Sequence, residues 1–151
     1  MTELQLHSPA FDDGERIPED HSYSGANTNP PLVVENVPPD AASLLLVVDD
    51  PDAEEPAGQV WDHWVVWNVP PDVGRIPEGW EPEAATEGQN DYGEVGWGGP
   101  NPPDREHTYR FLLYALDTTL GLSPAAAKDD VYDAASGHVV GKAELRGTYP
   151  A

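Results

Sequence analysis

A mostly β domain is what this sequence predicts, and three features predict it. Pro and Gly, 17 and 14 residues, punctuate the whole chain instead of collecting in one linker. The apolar runs between them have strand length and are rich in Val, Leu and Trp. Only one segment carries both a start and a stop signal for a helix. No internal repeat or low-complexity stretch divides the chain, so residues 1–151 read as a single domain, long enough to bury one core without disulfide or metal.

The elements follow in order. Glu3–His7 and Pro31–Asn36 read as short strands. Leu44–Val48 is continuously aliphatic and ends at Asp49 and Asp50, the pattern of a central strand buried on both faces. In His63–Val69 strict alternation places His63, Val65, Trp67 and Val69 on one face and Trp64, Val66 and Asn68 on the other. Thr108–Asp117 alternates too, with Tyr109, Phe111, Leu113 and Ala115 on one side and His107 joining them at the strand entrance.

Residues 70–100 hold Gly, Pro and acids without a sustained period, which predicts a long ordered loop bringing Asp91, Tyr92 and the glycines of GWGGP toward a functional site. The helix begins with Ser123 as N-cap and Pro124 at the first position, runs through Ala125–Ala127, and closes at Gly137. Its apolar face is Ala127, Val131, Ala134 and Ala135, and it lacks an acidic first turn. His138–Tyr149 is the last strand.

Seven Lys and Arg against 28 Asp and Glu give a formal net charge of -21, and Lys128 and Lys142 are the only lysines. Such a surface repels phosphate backbones and anionic membranes, so nucleic acid is excluded as a partner. The acids are spread through every segment, as in a solvated acidic shell, and halophilic adaptation accounts for them. Cysteine is absent, which removes thiol catalysis, thiolate metal sites and disulfides and fits a reducing, cytoplasmic setting. No segment approaches a membrane span or a secretory leader, so integral membrane association is not expected.

Three polar clusters stand at the ends of strand-like runs: Asp50 and Asp52 in DPDA, His63 in WDHWVVWNVP, and His107 with Tyr109 in GWGGPNPPDREHTYRF. Distant strands become neighbours in a sheet, so an acid, two imidazoles and a phenol at such edges can share one small pocket. Each cluster alone also has a plainer reading: Asp before Pro opens turns, tryptophans fill cores, and a lone His is commonly a hydrogen-bonded structural residue. His7, His21 and His138 are assigned structural roles. Asp50, Asp52, His63 and His107 also supply the donors of a two-histidine, one-carboxylate centre suited to iron or zinc, though no metal or other cofactor is expected.

These motifs, with SGANTNPPL and the terminal AELRGTY, resemble the phosphatidylethanolamine-binding proteins, in particular their bacterial and archaeal Raf-kinase-inhibitor-like branch, from about Ser8 onward. The resemblance implies a Greek-key β-sandwich with one or two peripheral helices. It also implies a pocket for phosphate, acetate or a phosphorylated headgroup at one end of the sheets. Carried over by position, Asp50, Asp52, Ala53, Trp61, His63, Gly99, Pro102, His107 and Tyr109 would form that site, with Trp61 as its aromatic wall. The usual DPDAP is here DPDAEEP, which sets Glu54 and Glu55 beside the site, and the usual HRY is here His107, Thr108, Tyr109 with arginine displaced to Arg110.

The leading expectation is therefore a binding module for a small anion or phosphorylated ligand that regulates a protein partner, as relatives inhibit kinases or serine proteases. In it, glycine-turn N–H groups and imidazoles face the anion, Asp50 orients His63 or His107, and binding strengthens as pH falls. The alternatives are a hydrolase using His63 or His107 as a base beside Asp50, and a protease inhibitor acting through the Glu81–Asn90 loop. The enzyme reading is the weaker one, because no serine or cysteine sits in a nucleophile elbow. A two-fold homodimer is expected from the prokaryotic relatives.

Overall fold

The structure is a computed structural model that describes residues 3–124 and 126–151. Its strands are β1 (Gln5–His7), β2 (Leu32–Glu35), β3 (Ser43–Asp50), β4 (Trp61–Val69), β5 (Arg75–Ile76), β6 (Thr86–Glu87), β7 (His107–Leu116) and β8 (Val139–Tyr149). They build a three-stranded sheet in the order β1-β2-β5 and a five-stranded sheet in the order β6-β4-β3-β7-β8, with antiparallel pairing throughout. The return of β7 to the free side of β3, after the excursion 70–106, is a Greek-key connection.

Two sheets facing each other need apolar inner faces, and the sequence supplies them. Leu6, Leu32, Val34 and Ile76 of the small sheet pack against Leu46, Val48, Val66, Phe111 and Leu113 of the large one. The large sheet is apolar on its outer face as well, where Leu45, Val47, Val65, Trp67 and Leu112 are covered by Leu120 and by Val131 and Ala135 of a helix. This double coverage is why all of β3 is buried, as its unbroken aliphatic run predicts.

That helix, α2, spans Lys128–Ala135 and not the segment beginning at Ser123. Ser123 and Pro124 precede it in an exposed turn, Ala127 occupies the cap without a side-chain bond, and the Ala125 part of the expected helix lies outside the described residues. The later start resolves the missing acidic turn, since Asp129 and Asp130 now occupy the first turn, where the helix dipole favours carboxylates. Val131 and Ala135 are buried as expected, Ala134 packs partly against them, and Ala127 is exposed. Gly137 takes φ 82° just past the helix end.

The strict alternation expected of β4 fails at two places. Between Val48 and Asp49 the partner in β4 jumps from Trp64 to Asp62, so His63 is an extra, bulged residue. The bulge moves His63 off the helix-covered face of Val65 and Trp67. A second slip lies between Val66 and Val69, where Asn68 adopts φ 56°, and it returns Val69 to the inter-sheet core beside Trp64 and Val66. The long 70–100 segment is a strap between the sheets rather than a bare loop, because β5 pairs with β2 and β6 with β4.

Candidate functional site

Because β3 runs antiparallel to both neighbours, its C-terminal end meets the starts of β4 and β7. Asp50 pairs in register with Trp61, and Asp49 lies opposite both Asp62 and Arg110. A turn of 3-10 helix, Pro51–Ala53, then leads into the single-turn helix α1 (Glu54–Ala57), and the Asp50 side chain caps this turn by accepting from Asp52 N at 3.0 Å. These ends and the 99–103 segment enclose a cavity of about 250 Å³. Asp50, Ala53, Trp61, His63, Pro102, His107 and Tyr109 line it, together with Pro56, Ala57, Tyr92, Asn101 and Pro103.

His107 is held at both ring nitrogens. Its Nδ1 lies 2.6 Å from Asp50 Oδ2 and its Nε2 lies 2.7 Å from Asp104 Oδ1. Burial works against a charged ring, but the bonds to the two carboxylates outweigh it and raise the His107 pKa above its ordinary value. Asp50 is raised by burial in spite of the opposing pull of His107, whereas on Asp104 burial is outweighed by His107 and the pKa falls. Both ring nitrogens of His107 thus face carboxylate oxygens, one of a buried and one of a half-exposed acid, an arrangement that favours the charged ring.

His63 is its opposite. The Gly98 carbonyl can only accept, so the 2.6 Å contact fixes the proton on His63 Nδ1 and leaves Nε2 as a bare acceptor. Burial drives its pKa down to about 4, in spite of the Gly98 and Gly99 carbonyls, so the ring is neutral. Among the described residues His63 Nε2, Tyr109 Oη and Trp61 Nε1 are buried without a hydrogen-bond partner, and all three belong to cavity-lining residues. The His63 and Tyr109 rings meet edge to face with centroids 5.1 Å apart. Burial, followed by the charge on Asp50, raises the Tyr109 pKa, so its hydroxyl remains a donor.

Two expected site residues stand behind the wall instead of on it. Asp52 Oδ2 accepts from Thr108 N at 2.8 Å, which ties the start of β7 to the turn after β3. Gly99 packs so closely on the His21 carbonyl that a Cβ would collide with it, and its N–H donates to Asn27 Oδ1 at 2.8 Å. Gly98 N donates to His63 O and Gly96 N to Gly88 O, so the glycine turn offers no open N–H row to an anion. The expected amide contribution to anion binding is corrected accordingly: these glycines allow close packing.

The departures in the sequence have clear places. The two-residue insertion forms α1, which gives Pro56 and Ala57 to the cavity while Glu54 and Glu55 are exposed and outside its lining. Arg110 points away, forming a two-pronged bond with Asp49 at 2.8 and 2.8 Å on the side of Lys128 and Asp62. Of the residues outside the expected set, Asn101 and Pro103 belong to the recognised glycine-proline block, and Tyr92 to the loop already assigned to the site. Pro56 and Ala57 carried no signal, because their position depends on how the insertion folds.

Among the described residues no three His, Asp or Glu side chains converge as a metal-binding group, in keeping with both His107 nitrogens being taken. His7, His21 and His138 make contacts with Glu35, the Thr28 carbonyl and Asp117, and none of the three lines the cavity. The Glu81–Asn90 loop is partly fixed, since Thr86 and Glu87 pair with β4 and Asn90 is buried. No helix among the described residues is long and apolar enough to cross a membrane.

The family model described as phosphatidylethanolamine-binding protein matches residues 7–150. The UPF0098 protein of Methanothermobacter thermautotrophicus is 46% identical, over 97% of this chain and 98% of its own length. A crystal structure of a putative PEBP homolog from Chlamydia trachomatis superposes with a TM-score of 0.92 at 40% identity, covering 97% of both chains. Escherichia coli YbcL, described as a new member of the mammalian PEBP family, gives a TM-score of 0.91 at 32% identity over 99% of each chain.

Proposed function

This chain belongs to the phosphatidylethanolamine-binding protein family, and we propose that its cavity binds a small phosphoryl or carboxyl group that arrives with a proton of its own. The observation that carries this reading is a set of three buried polar atoms without a hydrogen-bond partner on residues that line the cavity, Tyr109 Oη, Trp61 Nε1 and His63 Nε2. Each such group costs about 1–3 kcal/mol while unsatisfied, so a ligand that completes all three is selected by chemistry rather than by charge alone. Two of the atoms donate and one accepts. A phosphate monoester carrying one proton, and so a single negative charge, matches them, with oxygens receiving the phenol and indole protons and its hydroxyl donating to His63.

Net charge points the same way. Two carboxyl groups, Asp50 and Asp104, flank the single His107 ring, which disfavours a fully deprotonated dianion. The volume of about 250 Å³ suits a phosphate or short headgroup and leaves no room for acyl chains. The wall supplies donors and an acceptor but no aliphatic hydroxyl or thiol, which favours capture over hydrolysis.

Calorimetric titration with a small phosphate monoester, methyl phosphate, in concentrated potassium chloride tests the reading. Because binding takes up a proton, affinity falls by up to about tenfold per pH unit above the second phosphate pKa of about 6. Tyr109→Phe, which removes one donor, weakens binding roughly tenfold. Affinity that ignores both pH and Tyr109→Phe would falsify the proposal.

A further inference from the structure

His107 lines the cavity, yet neither of its nitrogens is open to an occupant. An anion can use the imidazolium only if one of the two carboxylates lets go. Asp50 is poorly placed to do so, since its side chain is 4% exposed and its other oxygen holds Asp52 N. Asp104 differs in every respect. Its side chain is 37% exposed, it sits in the loop after Pro103, and its second oxygen lies 3.8 Å from Arg105 Nε. A displaced Asp104 carboxylate therefore returns to water beside a waiting cation, at little desolvation cost. Arg105 is itself held near α1 by a 3.5 Å contact with Glu55, so the receiving charge is already in place.

We propose that Asp104 is a built-in competitor for the anion site: its carboxylate occupies His107 Nε2 until a ligand oxyanion displaces it. The inference rests on the cavity being the binding site. It adds that affinity is set by an intramolecular exchange of one carboxylate for the ligand, so Asp104 selects for groups that bond an imidazolium better than a carboxylate does. Phosphoryl groups, whose additional oxygens can bond the imidazolium and the other donors of the wall at once, meet that condition better than acetate.

The test compares inorganic phosphate binding to the native chain, Asp104→Asn and Glu106→Gln by calorimetry. Glu106 is an exposed acid two residues away, so its variant reports the general effect of removing one negative charge. Asp104→Asn is expected to bind about tenfold more tightly and Glu106→Gln to change by less than about twofold. Equal gains in the two variants, or no gain for Asp104→Asn, overturn the competitor while leaving the cavity intact, provided Tyr109→Phe still weakens binding. Phosphate binding that ignores Tyr109→Phe in every background overturns the cavity reading and the competitor with it. In the native chain, nitrogen NMR of the imidazoles gives an independent readout: saturating phosphate shifts His107 Nε2, and an unmoved signal rejects the exchange even if Asp104→Asn fails to fold.

Discussion

His63 and His107 share a cavity but are pushed toward opposite protonation states: burial works against charge on both rings, and only His107 has carboxylate partners that outweigh it. A carbonyl cannot neutralise a charged ring, whereas two carboxylates can. Their effects on stability oppose each other as well. His63 has a folded pKa of about 4, below its unfolded value near 6.5, so its contribution is fully present above about pH 6.5 and is lost as pH falls toward 4. The span corresponds to about 3 kcal/mol. His107 is raised, so its contribution is present below about pH 6.5 and is lost as pH climbs through its folded pKa. Denaturant unfolding measured across this range separates them. His63→Gln is expected to flatten the acid limb between about pH 6.5 and 4 and leave the alkaline limb unchanged. An acid limb as steep in the variant as in the native chain would show that His63 is not the neutral, buried ring described.

At the scale of elements, β4 decides whether the site exists, because its two slips re-aim side chains that a regular strand would point elsewhere. The second slip is fixed by Asn68, whose φ of 56° is tolerated by asparagine and whose side chain bonds both the N–H and the carbonyl of Leu120. Asn68→Ala loses both bonds and keeps the strained backbone, so a destabilisation of about 2–4 kcal/mol is expected in urea titration. Asn68→Gly, which relieves the strain, should cost less than Asn68→Ala; the reverse order would mean that the backbone conformation is not what matters. Neither slip was legible in the sequence, since WDHWVVWNV alternates as a flawless strand would and a bulge depends on the partner's register. Composition misled at α2 for a related reason: Ser123 and Pro124 are good start signals locally, but burial of Val131 and Ala135 against Trp67 and Leu112 chose the register. What periodicity and motif could carry was legible: the buried β3, the Tyr109 face of β7, and the gathering of Asp50, His63, His107 and Tyr109 at one end. The closure of His107 by Asp104 was not, because a side chain three residues away in a proline-rich loop has no pattern to announce its direction.

Across the whole molecule five of the seven Lys and Arg residues are committed to contacts within the fold. Lys128 and Arg110 lie with Asp49 and Asp62 between α2 and the large sheet, Arg16 and Lys142 stack over Tyr149 and Tyr114, and Arg146 pairs with Glu144. Most of the 28 acidic residues are thus left without a cationic partner, and a net charge of -21 is held on a 16.3 kDa chain. Compactness raises the mutual repulsion of those charges, so the folded state suffers more than the extended chain when screening is weak. The screening length falls from about 10 Å at 0.1 M salt to about 3 Å at 1 M, shorter than the spacing of most surface charges. The thermal midpoint is therefore expected to rise steeply between about 0.1 and 1 M potassium chloride and only gently above it, because further salt has little repulsion left to remove. A midpoint that climbs evenly to several molar would assign the effect to salting-out of apolar surface, and a flat response would show that the acidic shell carries no stability penalty in dilute buffer.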